Sequence, residues 1–183
     1  MQTTIRVVRH THLPPRTIES VRSLFDAEYY EKFGPWDPDC PYGYSPADVH
    51  VIATNGLGIV GHVGFQRRLI DVGTVEVPVG GTGGVLVAPQ ARGAGLGALL
   101  MSRVREAMHT AGVDFGYLGC REDVAPFYTS CGWHRIRARE RCFSRLDGTT
   151  IIESVDAPIL ICAATKTAES WPAGPIDLRG TPW

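Results

Sequence analysis

GGVLVAPQARGAGLGALLMSRVREAMH, residues 83–109, joins a short apolar run (Val85, Leu86, Val87) to an amphipathic helix. The joint is a Pro-stopped turn in which Gly93, Gly95 and Gly97 alternate with Ala94 and Leu96. Leu96, Leu99, Leu100, Val104, Ala107, Met108 and Ala111 recur at i, i+3, i+4 spacing, which predicts one apolar helical face. Ser102, Arg103, Arg105, Glu106 and His109 fall largely on the other side. A strand therefore runs into a helix through a turn with few side chains. The first N–H groups of a helix lack partners and its dipole is positive there, so the turn offers a seat for phosphate oxygens. Gly93, Gly95 and Gly97 let such oxygens reach the main chain, and Arg92 adds a cation at the rim.

The seat does not match the commoner phosphate loops. The nucleoside triphosphate loop ends in GK[ST], which is missing here. The dinucleotide fingerprint G-x-G-x-x-G follows an early strand, whereas this chain has G-x-G-x-G far from its start. A Gly-rich turn that binds nothing is the remaining alternative for the glycines alone.

Composition narrows the classes. The 183 residues suit one domain, 1–183, and 44% hydrophobic with 20% charged residues is ordinary for a globular chain. A net charge of −1 gives no basic footprint for nucleic acid. No apolar run approaches the ~18 residues of a membrane span, and MQTTIRVVRH has no secretion-signal core. Cys40, Cys120, Cys131, Cys142 and Cys162 are odd in number and form no C-x-x-C pair, so they read as reduced thiols of a cytoplasmic protein, with no metal site.

Around the central stretch the pattern alternates. Ile5 and Val7 suggest a first strand, and Pro14-Pro15 opens a helix with Ile18, Val21, Leu24, Phe25 and Tyr29 on one face. FGPWDPDCPYGYSP (33–46) reads as an ordered loop. Strands flank the Asn55-Gly56 hairpin turn; a return strand runs from Ile59 towards Asp71, and TVEVPV follows a turn near Gly73. After the helix come a strand at 113–120, a short helix at 122–130 ended by Gly132, one strand over WHRIRARERCFSRL, and TTIIES and PILICAA. The expected architecture is α+β: a mixed, mainly antiparallel sheet flanked by helices, with one parallel pair joined by the central helix.

Arg92, Gly95 and Gly97 match the Q/R-x-x-G-x-G/A coenzyme A motif, and Tyr128, Gly132 and Trp133 match the Tyr-x-x-x-Gly-aromatic signature; the chain thereby resembles the GNAT-superfamily N-acetyltransferases. The resemblance implies a GNAT-like sheet whose parallel pair splays around acetyl-CoA. It assigns the cofactor to Val85, Leu86, Val87, Arg92, Gly93, Ala94, Gly95, Leu96 and Gly97. A backbone N–H from Val85 to Val87 would meet the thioester oxygen, and Tyr128 would protonate the coenzyme A sulfur. GHVGFQRRLIDVG (61–73) and the closing Gly180-Thr181-Pro182-Trp183 further resemble the aminoglycoside 2′-N-acetyltransferases, and within them the kasugamycin 2′-N-acetyltransferase branch. That likeness implies antibiotic resistance, a homodimer, and a terminal Trp183 carboxylate in the acceptor site. The acceptor region then comprises Glu28, Trp36, Asp37, Asp39, Arg121, Glu122 and Trp183, with Tyr29, Tyr30, Tyr42 and Tyr44 as further stacking surfaces. Arg121 can pair with Glu122 or meet an acceptor carboxylate. Those acetyltransferases carry a glutamate where this chain has Gly83, so the base is left open among Glu28, Glu31, Asp37, Asp39, His62, Glu122 and Asp123. More distantly, SWPAG (170–174) with Ile176-Asp177, and HVGFQRRLIDVG again, resemble nodulation protein A, an N-acyltransferase that attaches fatty chains to chito-oligosaccharides but lacks the tyrosine signature. Both likenesses imply amino-sugar N-acylation and differ in the donor.

Overall fold

A computed structural model describes residues 2–183. In chain order the elements are β1 (Thr4–Arg9), α1 (Pro15–Phe33), β2 (Val49–Asn55), β3 (Gly58–Val72), β4 (Val75–Val87), α2 (Leu96–Thr110), β5 (Phe115–Gly119), α3 (Ala125–Ser130), β6 (His134–Ile136), β7 (Glu140–Phe143), β8 (Ile151–Ser154), β9 (Ile159–Ala163) and β10 (Ile176–Asp177). The strands form one sheet in the order β6-β9-β5-β4-β3-β10-β7-β8, with β2 pairing β3 and carrying β1 at its edge. Most pairs are antiparallel; β4–β5 is parallel, and so is β10–β7. The fold is the α+β arrangement expected, with a second parallel pair that a two-residue strand in the tail supplies.

β3 organises this layout. It pairs with β4 along nearly its whole length, while its first half also holds β2 and its last two residues hold β10. TVEVPV and Val85–Val87, which read as separate runs, are the two ends of β4. WHRIRARERCFSRL breaks between β6 and β7, because β6 pairs with β9 whereas β7 pairs with β8 and β10. An alternating pattern reports the face of a strand and is blind to a change of partner.

α2 buries Leu100, Met101, Val104 and Met108, whereas Leu99 is 48% exposed. The inward stripe is thus rotated by about one residue from the predicted face. Met108 presses on β4 and β5 where both are glycine: a Cβ on Gly80 would lie 2.9 Å from Met108 Cε, and one on Gly116 2.9 Å from its sulfur. No side chain fits between this helix and the start of the parallel pair. The pair is short, joining only Val79–Gly81 to Phe115–Tyr117. Beyond those residues β4 and β5 part, and the gap between them opens the functional site.

Candidate functional site

The splay continues into a cleft of ≈ 490 Å³ lined by α1, the 36–47 loop, the middle of β3 and β4, the end of β5, α3 and the tail. At its back β4 carries an extra residue: Gly61 and His62 face Val87 and Leu86, but Gly64 faces Gly83. The bulge lies at Gly84–Val85, where Gly84 takes φ 58, a conformation glycine adopts without strain. A bulge turns its peptide out of the ladder, and here the Gly84 carbonyl accepts from His62 Nδ1 at 2.7 Å.

The glycine turn lies at the other end of the splay. Gly93 (φ 80) and Gly95 (φ 77) are left-handed, and a Cβ on either would meet nothing within 4 Å, so the turn is open from outside. Gly95 is the N-cap of α2 and no side chain caps it, leaving the first amides of the helix unoccupied by protein. Gly97 has a different reason to be glycine: its Cβ would lie 3.1 Å from Phe127 Cζ, so it lets α3 pack on the start of α2. Arg92 is not a free cation at the rim. Its Nε donates to Val87 O at 2.8 Å and its Nη2 lies 2.8 Å from Glu28. Glu28 thus ties α1 to the turn and does not line the cleft.

Tyr128, on α3, lines the cleft, as does Val85. No protein group among the described residues hydrogen-bonds its hydroxyl. Burial raises the phenol pKa, with Cys120, Tyr29 and Cys131 adding to the effect.

The acceptor side is aromatic. Phe25, Tyr29, Phe33, Trp36, Tyr42 and Tyr44 line it, Trp36 stacking on Phe25 at 5.1 Å. The Tyr42 hydroxyl is buried without a partner, and burial pushes its pKa to about 12. Trp183 forms the floor: Nε1 donates to Gln66 Oε1 at 3.1 Å, and the Arg68 guanidinium stacks 4.1 Å from the ring. Arg68 also donates to Leu178 O, Thr181 O and Ser45 Oγ, clamping the tail. The Trp183 main chain explains Gly83, because a Cβ there would lie 2.8 Å from the Trp183 carbonyl carbon. No glutamate fits at that position.

Several predicted acceptor residues lie elsewhere. Asp37 is exposed and accepts from the Asp39 amide in its own turn; Asp39 is exposed too, 3.9 Å from His10. Glu122 forms a bidentate pair with Arg135 and not with Arg121. Arg121 pairs with Asp123, although it reaches the cleft rim. Among the described residues no Asp or Glu lines the cleft, whereas Lys32, Arg121 and Arg145 do.

Of the base candidates only His62 is a cleft residue, and it heads a chain that the sequence did not suggest. His62 Nε2 lies 2.9 Å from His50 Nδ1, and His50 Nε2 lies 3.0 Å from His10 Nδ1. Burial lowers His50 to about 3, helped by its two histidine neighbours. Burial also lowers His62 to about 4, against the opposing bond to Gly84. Both rings are therefore neutral near pH 7. One signal for the pair was available, since β2 and β3 flank the Asn55-Gly56 turn and pair Ile52 with His62 and His50 with Gly64. That register puts His50 and His62 diagonally on one face.

Comparison with solved structures identifies the fold. Escherichia coli YhbS, a GNAT family N-acetyltransferase in complex with CoA, superposes with a TM-score of 0.63 at 17% identity, covering 97% of this chain and 89% of that one. Escherichia coli ElaA gives 0.61 at 18% identity, over 87% of this chain and 98% of that one. The fold is that of the GNAT acetyltransferases. Within it, the family profile of Nodulation protein A (NodA) matches residues 16–182, and the chain belongs to that family. Nodulation protein A of Bradyrhizobium sp. (strain NC92) is 27% identical over 171 residues, covering 86% of this chain and 76% of that protein. Its counterpart in Bradyrhizobium elkanii is 25% identical over 166 residues, with the same coverage.

Proposed function

We propose that the chain is an N-acyltransferase that moves an acyl group from acyl-CoA to the primary amine of an amino sugar. The observation that carries the reading is the convergence on one splay of an uncapped helix start, a bulged strand peptide and an unpartnered Tyr128 hydroxyl. The first amides of α2, reached through Gly93 and Gly95, suit the diphosphate of coenzyme A, with Arg92 fixed beside them by Glu28. Acyl-CoA supplies the activated thioester; the chain supplies its orientation. The Val85 N–H faces the developing oxyanion, and such a donor contributes about 3 kcal/mol to a transition state.

In the reaction the amine nitrogen bonds to the acyl carbon, the carbon–sulfur bond breaks, the nitrogen loses a proton and the sulfur gains one. Tyr128 enters protonated, because burial raises its pKa. So weak an acid serves the leaving sulfur first as a hydrogen-bond donor, since full transfer to a thiolate of pKa ~8.5 is uphill. No Asp or Glu side chain among the described residues lines the cleft, and the amine loses its proton to cleft water. A sugar amine beside electron-withdrawing hydroxyls does so more readily than a lysine.

The acceptor follows from the walls. Six aromatic rings and the unpartnered Tyr42 hydroxyl suit a sugar ring with few positive charges. The family supports the same acceptor class, with a partly deacetylated chito-oligosaccharide and a longer acyl chain as the particular pair. An aminoglycoside acceptor, kasugamycin included, draws support from Trp183 in the cleft floor. The lining cations disfavour a polycationic sugar. Thiol release and product mass, measured with acyl-CoA donors of several lengths against chitosan oligomers and aminoglycosides, test the reading. Release with the chitosan oligomers is expected; none with any amino sugar contradicts it.

A further inference from the structure

His62 is 2% exposed and both of its ring nitrogens are engaged. A carbonyl oxygen only accepts, so the bond to Gly84 O requires the proton of His62 on Nδ1. Nε2 is then an acceptor and takes the Nδ1–H of His50; His50 Nε2 in turn takes the Nδ1–H of His10. One carbonyl thus orders three rings, every N–H pointing inward, and the ring of Phe25 meets His62 edge-on at 5.3 Å. The other end of the chain is half-open, with His10 Nε2 3.9 Å from Asp39. A chain that ends on a carbonyl has no free nitrogen for an amine proton, so His62 is no general base.

Its effect lies in the peptide it holds. No peptide bond among the described residues is cis, and in a trans peptide the C=O and N–H point in opposite directions. With the Gly84 carbonyl drawn to the His62 ring, the Val85 N–H of the same peptide points the opposite way, away from that ring. We infer that His62, oriented by His50 and His10, is a positioning residue that sets the Gly84–Val85 peptide as the oxyanion donor of the acyl-transfer site. The aligned rings also polarise that peptide, since hydrogen bonds in series strengthen one another. This inference rests on the acyl-transfer reading above and adds the device that prepares its donor.

The test uses the full chain labelled with ¹⁵N-histidine, with the two-bond ¹H–¹⁵N correlations of each ring recorded at neutral pH. His62 and His50 are expected neutral and protonated on Nδ1, the opposite of the tautomer free histidine prefers. In kinetics, His62→Leu is expected to lower kcat by about 10- to 100-fold with KM for acyl-CoA nearly unchanged. His62→Gln, whose amide N–H can still reach Gly84 O, is expected to restore most of the loss. An Nε2–H tautomer at His62, a Leu variant with full kcat, or a Gln variant as slow as Leu overturns the inference. If His62→Leu fails to fold, the tautomers of the unaltered chain decide it. Normal turnover with the wrong tautomer removes this inference alone, whereas no thiol release with any amino sugar removes the reading beneath it.

Discussion

Gly81→Ala asks one methyl group to share space with Trp183. A Cβ at Gly81 falls 1.9 Å from Trp183 Cε2, 2.0 Å from Cδ2 and 2.3 Å from Cζ2. Carbon atoms in contact need about 3.5–4.0 Å, so the indole must retreat by roughly 1.5–2 Å. It has nowhere to slide: Gln66 holds Nε1 at 3.1 Å, Arg68 covers one face at 4.1 Å, and Tyr117 meets it edge-on at 5.9 Å. The ring is therefore expelled. Truncating a buried Trp costs about 3–5 kcal/mol, and expulsion forfeits most of that, about 2–4 kcal/mol. At ~2–4 °C per kcal/mol for a chain of this size, the melting temperature falls by roughly 5–15 °C. Differential scanning calorimetry measures the drop, and Trp183→Ala is the control background. There Gly81→Ala is expected to cost less than about 1 kcal/mol, because the two changes remove one contact. A Gly81→Ala protein that melts with the wild type, or an equal drop in both backgrounds, refutes the account of the cleft floor.

Three further outcomes are expected. Tyr128→Phe is expected to lower kcat about 100-fold while leaving the melting temperature nearly unchanged, because the hydroxyl has no protein partner; steady-state kinetics beside a thermal melt checks both. Gly84→Ala forces an alanine to φ 58 and sets its Cβ 3.2 Å from His62 Nδ1, so about 1–2 kcal/mol of stability and most of kcat are expected to be lost, as read by denaturant titration and thiol release. Acid unfolding follows the histidines: His50 and His62 are lowered to about 3 and 4 from 6.5, so between those values the unfolded chain binds more protons. Their contribution is complete above pH 6.5 and is lost as pH falls through the folded-state values. The melting temperature is expected to fall steadily on acidification below that point, with a shallower slope in His50→Phe; a melt that rises on acidification contradicts the buried neutral pair.

Much of the architecture was legible because its signals are local. The glycine turn, the helical pattern of α2 and Asn55-Gly56 each act within a few residues, and each element lies where it was expected, with the buried face of α2 turned by about one residue. What escaped depends on partners distant in the chain. The two residues of β10 form a strand only because β3 and β7 flank them, and the Arg137–Arg139 break marks a change of neighbour that alternation does not encode. In the site, proximity along the chain misled for the acids. Asp37 satisfies its own turn, Asp39 lies out beside His10, and Glu122 finds Arg135 thirteen residues on instead of facing the cleft. The histidine chain draws on β2, β3 and the segment after β1, and only a correct hairpin register brings its inner pair together.

The most direct measurement is calorimetric titration of the full chain with coenzyme A, beside the same titration of Gly95→Val. One molecule per chain is expected to bind in the micromolar range usual for such cofactors. The Gly95→Val protein, whose Gly95 (φ 77) no longer tolerates the turn, is expected to bind far more weakly. A folded chain that takes up no coenzyme A, or a variant that binds as well as the wild type, contradicts the claim that the opening of α2 grips a diphosphate.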